Sequence, residues 1–99
     1  MATIKDLPHI KNYLVTPLKC IQECGHIGGL IFSYLASKWH NSGEPIEFSL
    51  LKEDIEKEFQ VSYFLLTSSI SKLESNNYLT IRKGKYGVAF FILNQDKEL

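Results

Sequence analysis

Between Phe59 and Ser62 the chain has only Gln60 and Val61, yet apolar stripes of helical period lie on both sides of this point. Upstream, "SLLKEDIEKEF" spaces Leu51, Ile55 and Phe59 four apart. Lys52, Glu53, Glu56 and Lys57 are turned to water, and Ser49 is the expected cap of a helix over 49–59. Downstream, Ser62 offers a second cap, and Val61, Leu66, Ile70 and Leu73 point inward along a helix over 62–76. Two helices joined by so short a turn cannot be collinear, so they cross at a steep angle. That crossing constrains the chain more than any other feature.

The flanking segments supply the remaining elements. "HIGGLIFSYLASKWHNSG" sets Ile27, Leu30, Ile31, Tyr34, Leu35 and Trp39 at helical spacing, with Phe32 and Ala36 beside the stripe. A helix over 26–42, apolar on more than one face, is expected to be the central packing helix. Before it, residues 12–24 form a lead-in. "NYLVTP" is extended, because the residue before Pro17 avoids the helical region, and "LKCIQEC" makes two helical turns stopped by Gly25. "EPIEF" is long enough for one small strand. In "YLTIRKGKYGVAFFIL", Leu79 and Ile81 alternate with Thr80 and Arg82, and Val88, Phe90 and Ile92 alternate with Ala89 and Phe91. The glycine-bearing "KGKYG" between them marks a hairpin over 78–93. This phase puts Val88, Phe90 and Ile92 inward and leaves Phe91 and Leu93 on the outer side. Residues 1–11 and 94–99 are expected to be loose. With 99 residues, 44% of them hydrophobic, the chain has material for one core. The expected fold class is α+β: a three-helix core with a short strand and a C-terminal two-stranded β-hairpin.

From Ser49 to Leu93 this arrangement resembles the winged helix-turn-helix family. "KLESNNYLTI" is similar to the family's closing piece, with Asn77 where a glycine usually stands, and asparagine tolerates the same left-handed conformation. The helix ending near Trp39, with its extended lead-in, is similar to the first helix of phage and plasmid replication-initiator-type DNA-binding domains. The resemblance covers residues 26–93. It implies a double-stranded DNA partner, a recognition helix over 62–76 in the major groove and the hairpin as a wing on the backbone. A transcriptional regulator or a phage or plasmid replication accessory is the role it implies.

The DNA-contacting positions so implied are Ser62, Tyr63, Phe64, Leu65, Ser68, Ser69, Ser71 and Lys72 on the helix, and Arg82, Lys83 and Lys85 on the wing. The hydroxyls can bond bases or phosphates, and Leu65 suits a thymine methyl. No arginine on the helix is placed for bidentate contact with guanine, so an A·T-rich site is expected. Charge supports the wing. Four basic residues against Glu74 alone lie between Lys72 and Lys85, whereas Glu44 to Glu58 hold six acids against Lys52 and Lys57. A formal net charge of zero limits indiscriminate affinity for nucleic acid. It also keeps open an alternative: a protein-interaction module using Tyr63, Phe64 and Leu65, its acidic second helix facing a basic partner. A homodimer through residues 12–24, or through Phe91 and Leu93, is a further option.

Other chemistries find no pattern. Cys20, Cys24 and His26 lack the paired-cysteine spacing of a structural zinc site, so buried thiols are expected, with no metal or cofactor. His9 and His40 read as surface residues. "GHIGG" lacks the strand and spacing of a phosphate loop, and Glu53, Asp54, Glu56 and Glu58 read as a solvated helix face, so no enzyme is expected. No apolar run reaches the ~18 residues that a membrane span needs. "MATIKDLPHIKNYL" lacks a signal peptide's apolar centre, and a cytoplasmic location is expected.

Overall fold

The computed structural model describes residues 2–8 and 13–99; His9 and Asn12 lie outside them. The chain forms an α+β domain in the order α1 (Leu18–Asn41), β1 (Phe48–Leu51), α2 (Lys52–Phe59), α3 (Tyr63–Ser75), β2 (Leu79–Lys83) and β3 (Val88–Leu93). The three strands make one antiparallel sheet in the order β1-β3-β2.

Helix α1 is broken where the glycine signal lies. Gly25 has φ 81° and ψ 174°, a conformation that an L side chain resists. The arm before it folds against the arm after it, and the contact depends on Gly29. A Cβ there would come within 2.9 Å of Ile21 Cγ1 and 3.0 Å of Thr16 Cγ2. The extended lead-in is pinned to the same place by the buried Ser33. Its Oγ lies 2.9 Å from the Val15 carbonyl and 3.1 Å from that of Gly29, and shares a 2.6 Å hydrogen bond with Thr16 Oγ1.

The core lies between α1, α3 and the inner face of the sheet. Ile31, Phe32, Leu35 and Trp39 of α1 meet Leu66, Ile70 and Leu73 of α3, Ile55 of α2, and Phe91 and Leu93 of β3, all buried. Trp39 fits because its Nε1–H donates to the Pro45 carbonyl at 2.8 Å, which satisfies the one polar group of the indole. The turn between α2 and α3 is as short as expected. Gln60 takes the left-handed conformation at φ 53°, and Ser62 Oγ caps α3 by accepting from Leu65 N–H at 3.1 Å. Asn77, at φ 65°, is left-handed where α3 ends, and Tyr78 N–H bonds back to the Leu73 carbonyl.

Several expectations are corrected. The small strand is Phe48–Leu51, not "EPIEF", and α2 starts at Lys52. Ser49 therefore pairs with Phe90 in the sheet and caps nothing, and Leu51 is exposed. The ladder decides this: Lys52 N–H still bonds the Gly87 carbonyl, so extended pairing runs to the residue where the helix begins. Leu30 is likewise exposed and not part of the α1 core.

In β3 the inward set is Ala89, Phe91 and Leu93, one residue out of phase with expectation. All six residues of "VAFFIL" are apolar, so alternation within β3 cannot choose a face. The partners choose it: Phe91 sits opposite Ile81 and Phe48, and Leu93 opposite Leu79. Phe91 and Leu93 are thus core residues and offer no surface to a second copy.

The ends are also more structured than expected. Ile4, in a 3₁₀ turn over Ile4–Asp6, is buried in the core. Leu99 N–H bonds the Ala2 carbonyl at 2.9 Å, and Lys97 pairs with Glu23 at 3.6 Å.

Candidate functional site

The side chain that organises the candidate surface is one that sequence reading assigned only to solvent. Lys52 opens α2, and its backbone N–H bonds the Gly87 carbonyl in the β2–β3 turn at 3.0 Å. Its ammonium lies 5.4 Å from the centroid of the Tyr63 ring, on the first turn of α3. One residue therefore joins the hairpin turn to the N-terminal end of α3. The proximity of Lys52 to the hairpin comes from pairing between β1 and β3, a contact with no trace in local periodicity.

Between α3 and β2 runs a cleft of about 320 Å³, whose lining includes Lys52, Thr67, Ser71, Glu74, Ile81 and Lys83. Its carboxylate is already engaged, because Glu74 Oε2 accepts the Ile81 N–H at 3.1 Å. Lys52 and Lys83 make no ion pair among the described residues. Thr67 Oγ1 is buried there without a hydrogen-bond partner among the described residues. Such an arrangement suits an anionic group, with two ammonium groups and the Ser71 hydroxyl as donors. A larger hollow of about 530 Å³ lies along β2 and β3, and its charged lining residues are Glu74 and Asp96, so it would repel an anion.

The expected site residues divide into three groups. Ser62, Tyr63, Phe64, Leu65, Ser71 and Lys72 are exposed on α3 or its cap, and Ser68 is half-buried. Phe64 is the most open of the aromatic pair, at 82% against 53% for Tyr63. Lys83 and Lys85 are exposed beside and beyond the cleft.

Ser69 departs from its expected exposed position, and Arg82 is exposed but engaged away from the cleft. Ser69 is buried, since it shares the inward face of α3 with Leu66, Ile70 and Leu73 at the i, i+3, i+4, i+7 spacing. That spacing was legible in the sequence. Arg82 stands on the outer face of the sheet, opposite in strand phase to Lys83. Its Nη2 pairs with Glu47 Oε1 at 3.2 Å, and its guanidinium covers the Phe90 ring at 4.1 Å. Its charge is committed to Glu47 and Phe90 and not to the cleft.

The cysteines sit behind α3. Burial, with the neighbouring Cys24 thiol second, pushes the Cys20 thiol up to about 12. Cys24 is also raised, mainly by burial, and its Sγ lies 3.7 Å from the Lys72 carbonyl. No group of three or more His, Cys, Asp or Glu side chains among the described residues is placed to hold a metal ion. No helix among the described residues is long and apolar enough to cross a membrane. Comparison with protein-family models, curated proteins and solved structures returns no match.

Proposed function

We propose that this domain is a winged helix-turn-helix protein that binds double-stranded DNA. In this reading α3 presents Tyr63, Phe64, Leu65, Ser68 and Ser71 to the major groove, and Lys52, Lys83 and Lys85 hold the backbone beside it. The observation that carries the reading is the Lys52 bridge, which brings the hairpin turn and the first turn of α3 to one surface, around a cleft whose two ammonium groups make no ion pair among the described residues. The helix brings no arginine, so an A·T-rich site is favoured. A transcriptional regulator or a replication accessory is the role such a module fills.

The test is a fluorescence-anisotropy titration with mixed-sequence and A·T-rich duplexes at several salt concentrations. With Lys52, Lys83 and Lys85 around the surface, a log–log salt slope of roughly −3 per copy is expected. A folded chain that binds no duplex even at low salt sinks the reading.

The exposed trio Tyr63, Phe64 and Leu65 favours a second reading, a protein-interaction module with those side chains as anchors. Replacing Lys52, Lys83 and Lys85 with alanine separates the two. DNA affinity falls across all sequences, whereas a protein contact centred on Phe64 persists.

A further inference from the structure

Tyr86 occupies the tip of the β2–β3 hairpin, in a turn where Val88 N–H bonds the Lys85 carbonyl at 3.2 Å. The two residues between them both have positive φ: 57° at Tyr86 and 78° at Gly87. Two-residue hairpin turns of this kind favour asparagine, aspartate or glycine at the first central position. A bulky aromatic residue there is strained by its own Cβ.

No contact among the described residues compensates for the strain. Tyr86 is 95% exposed, more than any other large apolar or aromatic side chain described, and it makes no hydrogen bond or ring contact among the described residues. Strain at an exposed residue without local return is a reason to look for a role outside the fold. Its surroundings point to what that is. Exposed Lys83 and Lys85 lie within three positions of it, and glycines on both sides keep the tip narrow. An exposed aromatic face on a narrow projection, with two lysines just before it in the chain, matches a nucleobase and its neighbouring phosphates.

We propose that Tyr86 is a stacking residue whose ring lies against the face of a nucleobase, while Lys83 and Lys85 contact the flanking phosphates. The base belongs either to an opened step of a duplex or to a single strand. This deepens the DNA-binding reading and rests on it for the duplex case.

The experiment uses the wild-type chain and two variants, Tyr86→Asn and Tyr86→Phe, each titrated with a duplex and with its separate single strands. Each variant is also melted thermally. Asparagine suits the turn, so Tyr86→Asn should keep or raise the melting temperature while affinity drops about 5- to 100-fold. Tyr86→Phe retains the ring and should bind like wild type. Opposite movement of stability and affinity is something a structural role would not produce.

The proposal is overturned if Tyr86→Asn binds like wild type, if Tyr86→Phe is as weak as Tyr86→Asn, or if Tyr86→Asn loses stability along with affinity. Duplex binding that ignores Tyr86 removes this inference and leaves the DNA reading standing. Binding confined to single strands and dependent on Tyr86 supports the inference and removes the duplex reading. A wild-type chain that binds neither form removes both.

Discussion

The Tyr78 hydroxyl donates to the Glu23 carboxylate across 55 positions of sequence, joining the first arm of α1 to the residue that leads into β2. Lys97 completes the cluster, 3.6 Å from the same carboxylate and 4.7 Å from the centroid of the Tyr78 ring. Three distant parts of the chain, the last of them the C-terminal tail, are tied at this point.

The cluster predicts stability limits at both ends of the pH scale. The Tyr78 hydrogen bond, more than any other contact, holds the Glu23 carboxyl below its ordinary 4.5. Its stabilisation is therefore complete above that value and lost as pH falls through the depressed one. Burial first, and the bond to Glu23 second, raise the Tyr78 phenol above its ordinary 10.0, so its contribution is complete below 10.0 and lost as pH rises beyond. Urea denaturation across a pH series should show both limbs. Glu23→Gln should flatten the acid limb and Tyr78→Phe the alkaline one.

Ser33→Ala removes the group that holds the extended lead-in to α1 and leaves Thr16 Oγ1 without its buried partner. A loss of about 1–3 kcal/mol in chemical denaturation is expected. Amide hydrogen exchange should show residues 13–17 opening before the rest of the domain.

The two thiols should be inert in the folded protein. With Cys20 pushed up to about 12 and both cysteines buried, almost no thiolate is available near neutral pH. Ellman's reagent should label neither cysteine under native conditions and both in denaturant. Fast native labelling would contradict the packing described.

Arg82 and Lys83 are adjacent but should behave differently. Arg82→Ala breaks a largely exposed ion pair and uncovers Phe90, for a stability cost below about 1 kcal/mol and little change in duplex affinity. Lys83→Ala should leave stability alone, weaken binding to all sequences and lower the salt slope by about 1. Paired thermal melts and titrations measure both differences.

Local patterns were legible wherever one chemistry dominated a short stretch. The stripe of α1, the break at Gly25, the turn through Gln60, the Ser62 cap and the left-handed Asn77 all follow from residue type and spacing. These determine an α+β chain with two helices crossing at a short turn and a hairpin after them. They also make α3 and the hairpin the place to look for a ligand.

What the sequence left undecided is what depends on a partner far along the chain. Six apolar residues in β3 carry no alternation, so its inward face was settled only by Phe48, Ile81 and Leu79 pairing beside it. Leu50 and Leu51 fit a helix as well as a strand until β3 offers a ladder to join. Arg82 and Lys83 look like one basic patch in sequence, yet the pleat sends them to opposite faces, one to Glu47 and one to the cleft. Lys52, spaced as a solvent residue, becomes the bridge between hairpin and helix. Periodicity records what a residue's own element prefers, whereas pairing and burial depend on what the rest of the chain brings beside it, and that is set only when the tertiary structure closes.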